Sequence, residues 1–290
     1  MTAPHTAITL DDLTVVIVTY NSAHCVPALA SGLREVSRIV VVDNGSDDDT
    51  VDRIRAQIPH ATVLANESNR GFGAANNRAL HQVQTRHALL LNPDCLPDAD
   101  FFAGLVRAAN QFPDAAIIAP HLLRRQHEVE LSYRWPATHW TSSGPGATGP
   151  CSVGFVCGAA MLLNLSVMRE VGFFDEEFFL YYEDEDLCQR VFLARRDIVL
   201  VPQVPITHLS RGSVKGRSPL RSEYLRGYHH AQSKLVFERK YFGQSQARRL
   251  RWKTLALAHV ALLLRVLLPQ PRYVARLVGR IAGLWRARTP

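Results

Sequence analysis

Uninterrupted β-branched and aliphatic runs that stop abruptly at small polar residues constrain this chain's fold more than any other feature. Leu13-Thr14-Val15-Val16-Ile17-Val18-Thr19-Tyr20 ends at Asn21-Ser22, and Arg38-Ile39-Val40-Val41-Val42 ends at Asp43-Asn44-Gly45-Ser46. Such runs read as strands buried on both faces, the environment of parallel strands, and Val26 to Val36 between them has the length and apolar spacing of a crossover helix. The alternation continues. Helices are predicted over Thr50–Gln57, Ala74–Val83 and Phe101–Gln111, with strands at Thr62–Ala65, Ala88–Leu91 and Ala115–Ala119. Gly154–Leu163 then reads as a strand, Ser166–Val171 as a short helix and Ile198–Val201 as a strand, and Ile206-Thr207-His208 closes the body. The pattern predicts an α/β fold, a doubly wound and mostly parallel sheet with helices on both faces. Ligands of such sheets bind at the carboxyl ends of the strands, and Thr19, Asn21, Asp43, Asn44, Asn92 and Asp94 all fall there.

Charge divides the chain in two. Residues 1–210 hold 15 Arg, no Lys and 24 Asp plus Glu, a balance of −9, whereas residues 211–290 hold 18 Lys plus Arg and 2 Glu, a balance of +16. The expected division is a catalytic body, residues 1–213, and a basic helical extension, 214–290. In the extension Val274, Leu277, Val278, Ile281 and Trp285 line one helix face and Arg272, Arg276 and Arg280 another, as in a helix lying on an anionic membrane surface. Packing of that apolar stripe on the body is the alternative. No nucleic-acid motif accompanies the charge, so no nucleic-acid partner is expected. The five cysteines, Cys25, Cys95, Cys151, Cys157 and Cys188, are odd in number and lack CxxC pairing, which suits a reducing cytosol. No signal peptide and no spanning segment is read, so the expected location is cytoplasmic and peripheral on the inner face of the cell membrane. The Ser132–Ser152 loop, with Trp135 and Trp140, reads as a surface excursion or as a flap over an acceptor.

Three stretches could carry chemistry. Asp43 can accept hydrogen bonds from a nucleobase imide or ribose hydroxyl, or can simply close an Asx turn. Asn92-Pro93-Asp94 can form a turn, or Asp94 can help hold Mg²⁺ or Mn²⁺ against a diphosphate. Glu183-Asp184-Glu185-Asp186, behind Phe178-Phe179-Leu180-Tyr181-Tyr182, suits a helix first turn, where carboxylates meet unpaired N–H groups. The sharper alternative is a general base on a rigid helix start. Leu187, Cys188, Val191 and Phe192 are spaced to pack one face of that helix. A Walker lysine motif is missing, as is a GxGxxG opening the first helix, which argues against ATPase and dinucleotide readings.

The ordered combination is more specific than its parts. Val15–Asn21, Val42–Ser46, Asn69-Arg70-Gly71-Phe72-Gly73-Ala74-Ala75-Asn76-Asn77, Leu91–Asp94, Gly158–Leu162, Gly172–Tyr181 and Glu183–Leu187 occur in the order found in family 2 inverting glycosyltransferases of the GT-A fold. Over residues 13 to about 213 the chain resembles that family, most closely its rhamnosyltransferase-like branch of bacterial cell-envelope polysaccharide synthesis. The resemblance implies that Thr19, Asn21, Asp43, Asn44 and Ser46 hold the nucleoside, with Asp43 on the uracil or thymine edge. It implies that Asn69, Arg70, Gly71, Asn76 and Asn92 complete the nucleotide-sugar site, and that Asp94 and His208 contact Mg²⁺ or Mn²⁺, His208 together with Gly212 and Ser213. Asn92 stands where the family's DxD element has its first acidic residue, which reduces the charged ligands available. Asp184 matches the catalytic base, with Glu183 beside it, and Gly158, Ala159, Glu183 and Asp186 fall on the acceptor side.

The implied activity is single in-line displacement. An acceptor hydroxyl, deprotonated by Asp184, attacks the anomeric carbon as the nucleoside diphosphate leaves. Like charge from Glu183, Glu185 and Asp186 is expected to raise the pKa of Asp184. The expected donor is dTDP-L-rhamnose and the acceptor a polyprenyl-diphosphate-linked glycan, with a UDP-linked hexose, N-acetylhexosamine or galactofuranose donor as the alternative. A non-catalytic nucleotide-sugar-binding scaffold is the rival of another class, and a homo-oligomer is compatible with either.

Overall fold

The computed structural model describes residues 6–125, 128–134, 146–209, 218–265 and 270–287. Trp135, Trp140, Gly212, Ser213 and the expected boundary at 213/214 lie outside them. The chain forms two compact units. The first comprises Met1–Arg70, Ala74–Phe174 and Leu187–Lys215, and the second comprises Gly71–Gly73, Asp175–Asp186 and Gly216–Pro290. The basic extension therefore does not form a unit by itself: it shares one with the segment leading into the four carboxylates.

The first unit is built on a nine-stranded sheet. Strands β1 (Leu13–Thr19), β2 (Ile39–Asp43), β3 (Thr62–Ala65) and β4 (His87–Leu91) form its parallel half in the order β3-β2-β1-β4. Helices α1 (Val26–Gly32), α2 (Thr50–Gln57) and α3 (Phe72–Leu80) connect them. Every residue of β2 and β4 is buried, as uninterrupted apolar runs require. Alternation sorts β1 onto two cores: Val15 and Ile17 join Val41 and Leu89, whereas Val16 joins Val40, Val42 and Leu90.

Beyond β4 the sheet becomes mixed. Short β5 (Cys95–Leu96), helix α4 (Ala99–Gln111) and β6 (Ile117–Leu123) are followed by β7 (Tyr133–Arg134), β8 (Cys151–Ser152), β9 (Phe155–Val156) and β10 (Ala160–Asn164). The single strand expected over Gly154–Leu163 is thus two strands broken at Cys157–Ala159. β10 runs antiparallel between β4 and β6, and α5 (Leu165–Val171) follows it. α6 (Glu183–Leu193) leads to β11 (Ile198–His208), which absorbs both strands expected at the end of the body. The pairing of β11 with β6 shifts register between Val201 and Pro205, where two prolines interrupt the ladder without ending it. β7 pairs with β9 and β8 with β11, so the described ends of the Ser132–Ser152 stretch are strands.

The second unit contains three long helices, α7 (Pro219–Phe242), α8 (Gln244–Leu264) and α9 (Pro271–Arg286). Gly227, Gly279 and Gly283 let α7 and α9 approach backbone to backbone. A Cβ on these glycines would strike the carbonyls of Arg276, Tyr224 and Tyr228 respectively. The stripe expected to dip into lipid from α9 is divided: Leu277 and Leu284 are buried and Ile281 packs with α7 and α8, while Val278 and Trp285 stay exposed. A longer exposed apolar stripe lies on α8 instead, formed by Trp252, Leu257, Val260, Leu263 and Leu264. No helix among the described residues is long and apolar enough to cross a membrane.

Candidate active site

In the first unit, the carboxyl ends of β1 and β2 are stitched by Asp43, which is 2% exposed. Its Oδ1 accepts from the Thr19 hydroxyl at 3.0 Å and the Ser46 hydroxyl at 2.5 Å, and its Oδ2 accepts from the Ser46 N–H at 2.9 Å. The expected Asx turn is present. A carboxylate offers about four lone-pair sites, so one on Oδ2 remains for a ligand N–H. Asn21 adopts left-handed φ (52°), which Asn tolerates, and exchanges bonds with the neighbouring loop: its N–H donates to Ser46 Oγ and its Oδ1 accepts from Asp47 N–H.

Asn44 anchors a second cluster. Its Oδ1 accepts from Asn66 Nδ2 at 2.9 Å and from the Arg70 N–H at 3.0 Å, and its Nδ2 donates to Asn69 Oδ1 at 3.0 Å. Asn66, also bonded by Arg78, was not among the expected site residues because nothing in its local pattern sets it apart from a strand-terminating turn. Arg70 is exposed and Asn76 buried. Asn77 holds Phe174 by a reciprocal pair of 2.9 Å bonds, so this part of the asparagine block fixes the Gly-Phe-Phe-Asp lead-in. Arg190 secures the same lead-in by donating to the carbonyls of Val171, Gly172 and Phe173.

The strand ends around Asp94 form the third cluster. Asn92 donates its N–H to the Ala159 carbonyl at 2.8 Å and accepts from the Cys95 N–H at 3.0 Å. The expected turn is therefore present, with Gly158 and Ala159 buried behind it. β11 pairs His208 with Cys95 and so brings the imidazole beside Asp94. His208 Nε2 lies 3.6 Å from Asp94 Oδ1, and His208 Nδ1 lies 3.2 Å from Glu130 Oε2. Glu130 was missed because it lies 78 residues from His208 in sequence and reaches it only through the fold. Among the described residues no group of three or more His, Cys, Asp or Glu is arranged to hold a metal ion.

The second unit supplies the carboxylate segment. Gly71, at φ +93°, lies against the Phe179 backbone, where any Cβ would overlap the carbonyl, and Phe72 N–H donates to that carbonyl at 3.0 Å. Tyr181 (φ 69°) and Tyr182 (φ 68°) are both left-handed, a costly conformation for bulky residues that needs strong surrounding contacts. α7 provides them. His229 stacks on Phe179 with centroids 4.4 Å apart, His230 contacts the rings of Tyr181 and Tyr182, and Ser233 Oγ donates to the Leu180 carbonyl at 2.8 Å. Burial lowers the His230 pKa to about 4, helped by Arg280, Lys234 and Arg276, so the ring is neutral between the tyrosines.

The four carboxylates have separate environments. Asp186 is fully buried rather than turned toward an acceptor: Tyr241 donates to its Oδ1 at 2.7 Å and Lys240 Nζ lies 2.6 Å away. Lys240 also pairs with Asp175, and these bonds raise its pKa against the opposing effect of burial. Glu183 is 6% exposed, and its Oε2 meets no hydrogen-bond donor. Burial, reinforced by the Asp184 charge, pushes the Glu183 pKa well up. Asp184 is half-buried and accepts from the Glu185 N–H at 2.9 Å. Behind them Leu187, Cys188 and Val191 enter the first unit's core, whereas Phe192 is 43% exposed and does not join them.

Comparison with known proteins gives these features a family. The profile of glycosyl transferase family 2 matches residues 14–172, and the chain belongs to that family; it is a glycosyltransferase of the GT-A fold. It is 28% identical over 254 residues to N-acetylglucosaminyl-diphospho-decaprenol L-rhamnosyltransferase of Mycobacterium tuberculosis, covering 76% of this chain and 82% of the relative. It is also 28% identical over 228 residues to the low-salt glycan biosynthesis hexosyltransferase Agl10 of Haloferax volcanii, covering 74% and 72%. Among solved structures, the mannosyltransferase PcManGT from Pyrobaculum calidifontis, in complex with GDP-Man and Mn²⁺, superposes with a TM-score of 0.57 at 16% identity, covering 95% of this chain and 86% of that one. TarS of S. aureus (residues 1–349) gives a TM-score of 0.55 at 14% identity, covering 94% and 91%.

Proposed function

We propose that this chain is an inverting, metal-assisted transferase that moves a deoxyhexose, best matched by L-rhamnose from dTDP-L-rhamnose, to a hydroxyl of a polyprenyl-diphosphate-linked glycan for the cell envelope. The observation that carries the reading is Asp94 facing His208 across 3.6 Å at the carboxyl ends of the strands. Mg²⁺ and Mn²⁺ suit such a minimal set, because ions of this kind often take only one or two protein ligands and complete their shell with water and substrate phosphates. The small donor set therefore fits a cation completed by the donor's diphosphate, with Asp94 and His208 as its protein ligands. Bound there, a divalent ion supplies neutralisation of the charge developing on the leaving diphosphate.

The chain's own residues do the rest. Asp43 accepts from the imide N–H of thymine or uracil, a donor that cytosine lacks. The Asn44–Asn69–Arg70 cluster positions the sugar-phosphate portion. Asp184 removes the proton from the acceptor hydroxyl as the anomeric bond breaks, so that no enzyme nucleophile is needed and configuration inverts. Glu183 lies beside Asp184, and its burial favours the protonated form, which eases the like charge on the base. The L-rhamnosyltransferase relative supports the rhamnose donor and the lipid-linked acceptor, and the hexosyltransferase relative supports the alternative of a hexose donor. The exposed stripe of α8 and the surrounding arginines support a seat on the anionic inner face of the cell membrane.

A thermal-shift screen of dTDP- and UDP-sugars with Mn²⁺ tests the donor, because a ligand that binds only the folded chain raises its melting temperature. dTDP-L-rhamnose is expected to give the largest shift. A larger shift from a UDP-hexose would replace the donor, and no shift from any nucleotide sugar would remove the reading.

A further inference from the structure

A cavity of about 380 Å³ opens among the three helices of the second unit, and arginines from all three line it. Arg239 comes from α7, Arg248 and Arg251 from α8, and Arg286 from α9, against a single carboxylate, Glu177. Two of the four cations are engaged: Arg239 pairs with Glu177, and Arg251 donates to the Trp285 carbonyl at 3.2 Å. Arg248 and Arg286 have no anionic partner among the described residues. Like charges gathered around one concave space repel one another and destabilise the bundle unless an anion occupies it. Leu235 and Val236 add an apolar wall. The volume lies in the range of small-molecule sites, about 300–1,000 Å³.

The surroundings indicate what kind of anion. Trp252 and Trp285, 59% and 54% exposed, meet edge to face at 5.8 Å, and the Arg251 guanidinium lies 6.0 Å from the Trp285 ring. Exposed tryptophans beside cations suit the headgroup level of a bilayer, where one end of the ring is apolar and the other wet. The outward stripe of α8 continues from Trp252 through Leu257, Val260 and Leu264. We infer that this arginine cavity is a binding site for the phosphate head of a lipid, with α8 and the two tryptophans held against the acyl region. The phosphate chemistry is shared by two sources, a prenyl diphosphate and the phosphodiester head of an anionic bilayer lipid. Arginine suits both through paired N–H donors. The site is independent of the nucleotide-binding strand ends and of Asp184, so failure of the sugar-transfer reading would leave it standing.

The test uses the full chain, with farnesyl diphosphate in one arm and phosphatidylglycerol vesicles in the other. Phosphatidylcholine vesicles are the uncharged reference and inorganic pyrophosphate is the competitor. Arg248→Gln/Arg286→Gln is expected to weaken binding roughly tenfold or more, as lost charge-assisted hydrogen bonds should, without lowering the melting temperature or changing dTDP affinity. Arg272→Gln, outside the cavity, is expected to bind like the unaltered chain. A loss confined to farnesyl diphosphate, with pyrophosphate competing, identifies a lipid diphosphate; a loss confined to phosphatidylglycerol vesicles identifies a bilayer phosphodiester. Both support the site. Equal binding by the double variant and the unaltered chain, or no binding of either probe by the unaltered chain, would overturn it.

Discussion

Asp184 and Glu183 are adjacent carboxylates whose environments separate them. Glu183 is buried with a raised pKa, and its protonation makes stability depend on pH in a defined direction. A carboxyl whose folded pKa exceeds its unfolded value contributes fully below the unfolded pKa, and that contribution is lost as pH rises through the folded pKa. Glu183→Gln keeps the neutral form and is therefore expected to hold its melting temperature as pH rises above the ordinary carboxylate range, while the unaltered chain declines. Parallel pH–melting profiles would show that Glu183 is not protonated in the fold. His208 gives a second residue-scale test. Glu130, accepting from His208 Nδ1–H, would leave the Nε2 lone pair directed toward Asp94 and a bound cation. Glu130→Ala is expected to weaken Mn²⁺ binding about 10–100-fold, read by calorimetry in the presence of dTDP. Unchanged affinity would leave Glu130 with no part in orienting the histidine.

α7 changes the meaning of the basic extension. Its first half grips the left-handed Tyr181-Tyr182 pair, and its second half buries Asp186 through Lys240 and Tyr241. Part of the basic extension thus packs against the segment that carries the proposed base. Close α7–α9 packing depends on glycines without Cβ atoms, so Gly279→Val should force the helices apart. A loss of about 1–3 kcal/mol is expected, measured by denaturant titration; wild-type stability would mean that the helices tolerate separation.

These elements also show what could be read from sequence. β1, β2 and β4 were legible because two-sided burial writes continuous apolar runs and the turns that follow stop them abruptly. The antiparallel β10 and the unbroken β11 were not: strand direction depends on connections that local pattern does not encode, and Pro202 and Pro205 look like a strand end until their register shift is seen. Asp43, Asp94 and Asp184 stood out through their ordered motifs. Glu130, Asn66 and Arg190 were hidden because their roles arise from contacts distant in sequence. The stripe on α9 was visible as a period, but a period does not say whether lipid or α7 covers it.

At the scale of the whole chain, charge is divided between −9 over residues 1–210 and +16 over 211–290. With an acidic body and a basic helical region, association with anionic vesicles is expected to fall steeply as salt rises, since surface charges are screened within about 10 Å at 0.1 M. Cosedimentation with phosphatidylglycerol vesicles over a salt series measures this, and salt-insensitive binding would mean that the apolar stripe of α8 acts alone. The central proposal is that Asp184 is the base that takes the proton from the acceptor hydroxyl. The most direct measurement is nucleoside diphosphate release by Asp184→Asn with donor, Mn²⁺ and a lipid-linked acceptor, alongside donor affinity. Turnover is expected to fall about 10²–10⁴-fold, the usual contribution of a general base, with donor affinity essentially unchanged. Turnover within a few-fold of the unaltered enzyme would contradict the account.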